Sequence, residues 1–242
     1  MKKILYSVIS AMFLFLGSAC ERDDYEFKQT ASITVINAIV DNGPVKVNPG
    51  AGSGFAYSKV IDLAYGASGV YGAFTGNNNL TVVKSTDTTK TLFQRTIDLK
   101  PISTLYLAGQ SPNIDTIFRV ENNFPYIQSS AASPDNSIYI RFVNLSPTST
   151  PLNINIRSVT TNEVTALAYK GITDFKKYAA LTTTGDYIFE IREASTNTIK
   201  ATVTIQPNTY RFKTISIVMR GLLTTPATTG TNAFATFIVS YT

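Results

Sequence analysis

The sequence predicts an all-β protein built as two tandem antiparallel β-sandwiches, on three observations. Beyond residue 30, short segments alternate polar with apolar residues, as in Ser32-Ile33-Thr34-Val35-Ile36, Thr202-Val203-Thr204-Ile205 and Thr214-Ile215-Ser216-Ile217-Val218. Alternation with period two marks a strand with one buried face, and no long helical period competes with it. Thr fills 33 of the 242 positions, and a β-branched side chain suits a pleated, half-exposed surface. The third observation is that the pattern of one half recurs in the other.

The chain starts before the first sandwich, with Met1-Lys2-Lys3, an apolar run from Ile4 to Leu16, and the small residues Gly17-Ser18-Ala19 ahead of Cys20. A basic start, an apolar stretch and small residues at a cleavage site are the parts of a secretory signal peptide, here residues 1–19. The run falls short of the roughly 20 residues a membrane-spanning helix needs; an N-terminal core helix is the other reading. Cys20 is the only cysteine, which excludes an intramolecular disulfide and any cysteine-cluster metal site. Gly-Ser-Ala-Cys resembles the bacterial lipobox, which implies that Cys20 is acylated and becomes the first residue of the mature protein. The usual Leu stands three residues before such a Cys, whereas Leu16 stands four before.

Residues 20–30 form a tether whose acids crowd into Glu21, Asp23, Asp24 and Glu26. Two readings stand: a solvated spacer, or an export signal, since the cluster resembles the acidic motif behind the lipidated Cys of Bacteroidota surface lipoproteins. The resemblance implies an outer-membrane protein facing the cell exterior.

The first sandwich is expected over residues 31–127, a Ser-rich linker over 128–136 and the second sandwich over 137–242. Ile33-Thr34-Val35-Ile36-Asn37 aligns with Ile140-Arg141-Phe142-Val143-Asn144, and in the same register Gly43-Pro44-Val45 meets Thr150-Pro151-Leu152. Each Asn is expected to cap a strand through backbone hydrogen bonds, and each Pro to open the next strand where a missing N–H is tolerated. Farther on, Ala56-Tyr57 aligns with Ala168-Tyr169, Gly76 with Gly185, and Ile97-Asp98-Leu99 with Val203-Thr204-Ile205. Asp62 and Asp174 take similar places, and each half closes on an apolar strand ending in Gly, at Gly109 and Gly221. In the second half Phe175, Tyr178 and Tyr187 are read as core packing first and as a ligand platform second.

The turn Val143-Asn144-Leu145-Ser146-Pro147 with Pro151, and the aromatic hairpin through Gly185-Asp186-Tyr187, resemble a tandem domain of unknown function found in bacterial surface lipoproteins. The resemblance covers about residues 31–242 and is clearer in the second half. It implies paired immunoglobulin-like sandwiches on a lipid anchor, and it supplies no site residues.

Chemistry is sparse. The chain has no His, so the commonest general base and most zinc sites are missing. The carboxylates form no acid/base motif, and no Asp-x-Asp-x-Asp run offers calcium its oxygens. Gly50-Ala51-Gly52-Ser53-Gly54 lacks the Lys and helix of a phosphate loop. From residue 31 onward 17 bases face 12 acids, scattered singly apart from Lys176-Lys177; a nucleic-acid binder clusters them. Asp87-Thr88-Thr89 and Asp115-Thr116-Ile117 resemble a short O-glycosylation acceptor of Bacteroidota exported proteins, which implies Thr88 and Thr116 as modification sites.

The expectation is therefore a lipid-anchored, non-enzymatic protein without cofactor or metal, held to the membrane by its N-terminus. It would display two sandwiches for binding or adhesion to an extracellular protein or glycan, and not to nucleic acid. The alternative is a structural or accessory subunit of an envelope or glycan-uptake complex.

Overall fold

The structure, a computed structural model, describes residues 28–241 apart from 51, 53, 126, 128, 131, 132 and 225–229. It is all-β. In the first half the strands are β1 (Thr30–Asn37), β2 (Val45–Asn48), β3 (Ala67–Phe74), β4 (Gly76–Lys84), β5 (Asp87–Leu99), β6 (Ile102–Gln110) and β7 (Asn113–Val120). A two-strand hairpin, β8 (Ser129–Ser130) with β9 (Ser133–Pro134), falls in the stretch read as a linker. The second half holds β10 (Ser137–Asn144), β11 (Leu152–Ile156), β12 (Asn162–Leu167), β13 (Lys176–Ala179), β14 (Tyr187–Glu193), β15 (Ile199–Ile205), β16 (Thr214–Arg220) and β17 (Ala235–Ser240).

One topology appears twice. The sheet ordered β3-β1-β6-β7 is matched by β13-β10-β16-β17, and β2-β4-β5 by β12-β11-β14-β15, with β12 as the added strand. The pairs β1–β6 and β10–β16 run parallel, while the other named pairs are antiparallel. A purely antiparallel expectation misses these two because each partner returns only after the chain has built the opposite sheet.

Side-chain alternation builds three apolar layers from these four sheets. Ile33 and Val35 of β1 and Leu105 and Leu107 of β6 point toward Val45, Val47, Leu80, Val82, Ile97 and Leu99 of the facing sheet. Ile138, Ile140 and Phe142 of β10, with Ile215, Ile217 and Met219 of β16, pack likewise on Leu152, Ile154, Phe189, Ile191 and Ile205. The intervening residues Ile36, Tyr106, Val143 and Val218 form a third layer between the halves, joined by Ala38, Ala108, Leu145 and Val239. The two inner sheets are thus buried on both faces, as the unbroken burial of β6 from Ser103 to Gly109 shows. Each fully buried Leu, Ile or Val contributes about 1.5–3 kcal/mol, so this middle layer holds the halves together as firmly as a sandwich core of its size.

Asn37 and Asn144 do repeat their role. The Oδ1 of each accepts the N–H two residues on, from Ile39 and Ser146 at 3.2 and 3.1 Å, and the Nδ2 donates to the carbonyls of Leu63 and Leu167, both at 3.1 Å. These bonds correct the expected alignment. Gly66 N–H donates to Asn37 C=O and Lys170 N–H to Asn144 C=O, so Leu63-Ala64-Tyr65 is the counterpart of Leu167-Ala168-Tyr169. Ala56-Tyr57 belongs instead to a loop with a 3-10 turn at Tyr57–Lys59, and a shared Ala-Tyr dipeptide misled the register. Asp62 and Asp174 are consequently not equivalent. Ile97 pairs with Asn78 and Ile205 with Tyr187, which makes Ile205, rather than Val203, the partner of Ile97. The helical turn Pro207–Tyr210 lengthens the next connection in the second half.

Candidate functional site

The junction between the halves gathers the polar chemistry of the molecule. Arg141 stands in β10 between Ile140 and Phe142, on the face turned to the first half, and its side chain is 0% exposed. Its Nη1 lies 3.0 Å from Glu121 Oε2 and its Nη2 2.8 Å from Glu121 Oε1, a bidentate pair whose carboxylate is 3% exposed. Two further donors are used: Nε donates to Ser216 Oγ at 2.8 Å and Nη2 to Tyr241 Oη at 2.7 Å. Phe175 lies under the guanidinium plane at 4.3 Å and Tyr241 at 5.2 Å. Thr104 Oγ1 donates to Glu121 Oε1 at 2.9 Å. A buried charge survives only when paired and hydrogen-bonded, and here both conditions hold. Burial opposes the charge on Arg141, but Tyr106, Tyr241 and Glu121 outweigh it and hold its pKa above the ordinary value. Burial pushes the Tyr106 phenol well above its usual range.

Two further ties cross the junction. Lys170 Nζ and Tyr169 Oη hold the carboxylate of Asp115 at 3.0 and 2.9 Å; the lysine first and then the phenol keep the Asp115 pKa below its usual value. Arg119 reaches Asp174 at 2.8 Å and Glu121 at 3.4 Å. On the opposite side Tyr65 lies 4.3 Å under the guanidinium of Arg220. The Tyr of each Leu-Ala-Tyr segment therefore packs on the other half.

Beside Arg141 the junction opens into a cavity of about 480 Å³ lined by Arg119, Glu121, Asn122, Asn123, Tyr139, Asp174 and Phe175 among others. Its charges are matched internally, so a visiting molecule meets mainly amides and ring surface. Such a cleft can hydrogen-bond a neutral polar group and has no free nucleophile–base pair among its lining residues.

The site residues expected from sequence fall elsewhere. Cys20, Glu21, Asp23, Asp24 and Glu26 lie outside the described residues. Thr88 is exposed near the start of β5, beside Asp87, whose Oδ1 accepts from Thr89. Thr116 is half-buried within β7 opposite Leu107, and its neighbour Asp115 is engaged by Lys170. The structure does not bring the two Thr together. Of the aromatics in question, Tyr178 and Tyr187 pack on Phe189 in the second core, whereas Phe175 covers Arg141 and lines the cleft. The carboxylates are mostly tied to cations: Asp62 to Lys46, Glu163 to Lys176, Glu190 to Arg157 and Arg192, and Glu193 to Lys200.

Sequence reasoning missed Arg141 and Glu121. Arg141 occupies a polar slot in an alternating strand, which reads as solvent-facing. The available signal was the apolar run Leu105-Tyr106-Leu107-Ala108 on β6, in the sheet that faces β10 across the junction, since a continuous run points to burial of both faces.

No protein-family model and no curated protein matches the chain. Among solved structures, the Bacillus anthracis TIE protein is similar over 88% of this chain and 44% of its own length, at 9% identity and a TM-score of 0.24. The chain thus spans less than half of that protein. Among the described residues no helix is long and apolar enough to cross a membrane.

Proposed function

We propose that the chain is a lipid-anchored outer-membrane protein facing the cell exterior, whose two halves are immunoglobulin-like β-sandwich modules displayed for binding or adhesion, without catalysis. The observation that carries this reading is Cys20, the sole cysteine, standing where a short apolar run and Gly17-Ser18-Ala19 end and the acids Glu21, Asp23, Asp24 and Glu26 begin. Several acyl chains on one residue anchor firmly, each buried CH₂ contributing about 0.8 kcal/mol. The doubly covered inner sheets support a stiff display body, because a buried interface between two modules resists hinge motion. Its ligand would be an extracellular protein or glycan meeting the loops or the junction cleft.

A second reading, an accessory subunit of an envelope or glycan-uptake complex, is favoured by the apolar side chains exposed around β3, since such patches mark protein contacts.

Protease treatment of intact cells, with a permeabilised control, tests the placement. Loss of the body in intact cells supports display outside; protection until permeabilisation overturns it. Cys20→Ser is expected to release the protein from the membrane fraction, and retention there would remove the anchor.

A further inference from the structure

The edge of the first inner sheet is unguarded. β3 pairs with β1 on one side only and is the last strand of its sheet. Thr75 N–H donates to Gln29 C=O, and on the other side of β1 Ser32 N–H donates to Pro101 C=O, which fixes the phase of the ladder: odd-numbered residues of β3 bond to β1. The N–H and C=O groups of Ser68, Val70, Gly72 and Phe74 therefore point outward. Among the described residues only the Phe74 carbonyl has a partner there, accepting from Asn78 Nδ2 at 2.7 Å. Natural edges are blunted by charge, proline or brevity. The equivalent edge strand, β13, shows this: it has four residues and carries Lys176 and Lys177. β3 has eight, and the sequence from Leu63 to Val83 contains no charged residue and no proline.

The same edge carries the most exposed large apolar side chains of the described residues, Ile61 at 86%, Val70 at 66% and Phe74 at 55%. Beside the strand lies a cavity of about 420 Å³ whose lining includes Ile61, Leu63, Ser68, Gly69, Val70 and Tyr71. Its outer wall is fixed by Lys46, whose Nζ donates to Tyr57 C=O and Val60 C=O, both at 2.9 Å, and pairs with Asp62 at 3.3 Å.

We propose that β3 is the dimer interface of this protein, pairing antiparallel with β3 of a second copy. The strand is complementary to itself in one register. When Val70 faces Gly72 of the second copy, Ser68 faces its Phe74, and every outward N–H and C=O set meets another. In that register Phe74 of each chain lies beside the other chain's cavity next to Ser68 and Val70, a protruding ring meeting a preformed recess. Gly72 leaves room for the Val70 methyl groups opposite it. The strand itself carries no charge, so two copies of an otherwise basic chain meet along β3 without repulsion, with Lys59 and Asp62 confined to the wall of the recess. The product is a closed twofold contact that joins two four-stranded sheets into one.

The test is the mass of the full chain in detergent solution, measured by sedimentation across a concentration series. The wild type is expected to form a two-chain species. Phe74→Ala and Gly72→Val are each expected to weaken it at least about tenfold. Gly72→Val is informative because a Cβ there meets nothing within 4 Å in a single chain, so the fold of each chain is kept while the gap opposite Val70 is filled. Ile199→Lys, at an exposed position on β15, leaves the mass unchanged. A chain that stays monomeric at all concentrations overturns the proposal, as does a dimer indifferent to both variants. A monomer that takes up a strand of a different protein at β3 overturns it too, in favour of the accessory-subunit reading.

Discussion

At the end of its first strand each half places an asparagine, Asn37 or Asn144, with the same bonds to the next turn and to a Leu-Ala-Tyr segment. Three residues earlier on the same strands the halves part company. Thr34 of the first half corresponds to Arg141 of the second, and Glu121, just after β7, corresponds to Tyr241, just after β17. Residues that serve the backbone repeat, and so does the Tyr of each Leu-Ala-Tyr segment, but the charged pair buried at the junction does not. The turn chemistry is a property of one half alone, so both copies need it. The junction is a property of the pair, and one buried ion pair spanning it makes the two copies unequal. The edge strands differ in the same spirit, with β13 guarded by lysines and β3 left open.

The largest effect is expected from breaking that inequality. Arg141→Met leaves the buried Glu121 carboxylate with only Thr104 and, at 3.4 Å, Arg119 beside it, a loss toward the lower end of about 3–5 kcal/mol, read from urea unfolding. The double replacement Arg141→Met with Glu121→Leu is expected to regain most of it, since both charges leave together and Ser216 and Tyr241 still hydrogen-bond each other at 2.9 Å. If the double variant is as unstable as the single one, the pair holds the junction through geometry that apolar packing cannot replace.

A smaller and equal effect is expected where the halves agree. Asn37→Ala and Asn144→Ala each leave a buried N–H, of Ile39 or Ser146, without its acceptor, costing about 1–3 kcal/mol. The two losses are expected to match within about 0.5 kcal/mol in the same unfolding measurement. A large disparity would mean that the two turns, alike in bonding, differ in how much of each half depends on them.

This division also explains what was legible in the sequence. The strands, the duplicated order and the two asparagine turns follow from local alternation and side-chain chemistry, which a single strand displays on its own. The junction does not, because Arg141 in an alternating strand looks the same whether its face meets water or a second sheet. The Leu-Ala-Tyr equivalence was hidden for a related reason: it is set by hydrogen bonds to Asn37 and Asn144 across a loop whose length differs between halves. The expectation of a lipid anchor rests on residues 1–26 alone, which lie outside the described residues.

The pH dependence sharpens the comparison at the two tyrosine contacts. Asp115 has its pKa held below 3.8 by Lys170 and Tyr169, so its contribution is full above the unfolded value and is lost as pH falls through the lower folded one. Tyr106 and Tyr169 have theirs raised, chiefly by burial, so theirs is full below pH 10.0 and is lost as pH rises beyond it. The urea midpoint should therefore fall at both ends, and Asp115→Asn should flatten the acid limb. The contact of Tyr65 with Arg220 contains no carboxylate, so Tyr65→Phe should leave that limb unchanged.

The smallest effect belongs to the residue that follows each Leu-Ala-Tyr. Gly66 and Lys170 both have positive φ, 74° and 65°, a conformation that costs a side-chain-bearing residue about 1–2 kcal/mol. At Gly66 an added Cβ would also stand 2.6 Å from Arg220 Nε, so Gly66→Ala is expected to destabilise by about 1–2 kcal/mol. Lys170 tolerates the strain while its ammonium ties Asp115 across the junction. Lys170→Gly relieves the strain and removes a solvent-exposed ion pair contributing up to about 1 kcal/mol. The two nearly cancel, and thermal unfolding should show a change within about 1 kcal/mol of zero. A clear loss would show that the lysine acts as a clamp between the halves, and a clear gain that its tie to Asp115 adds little.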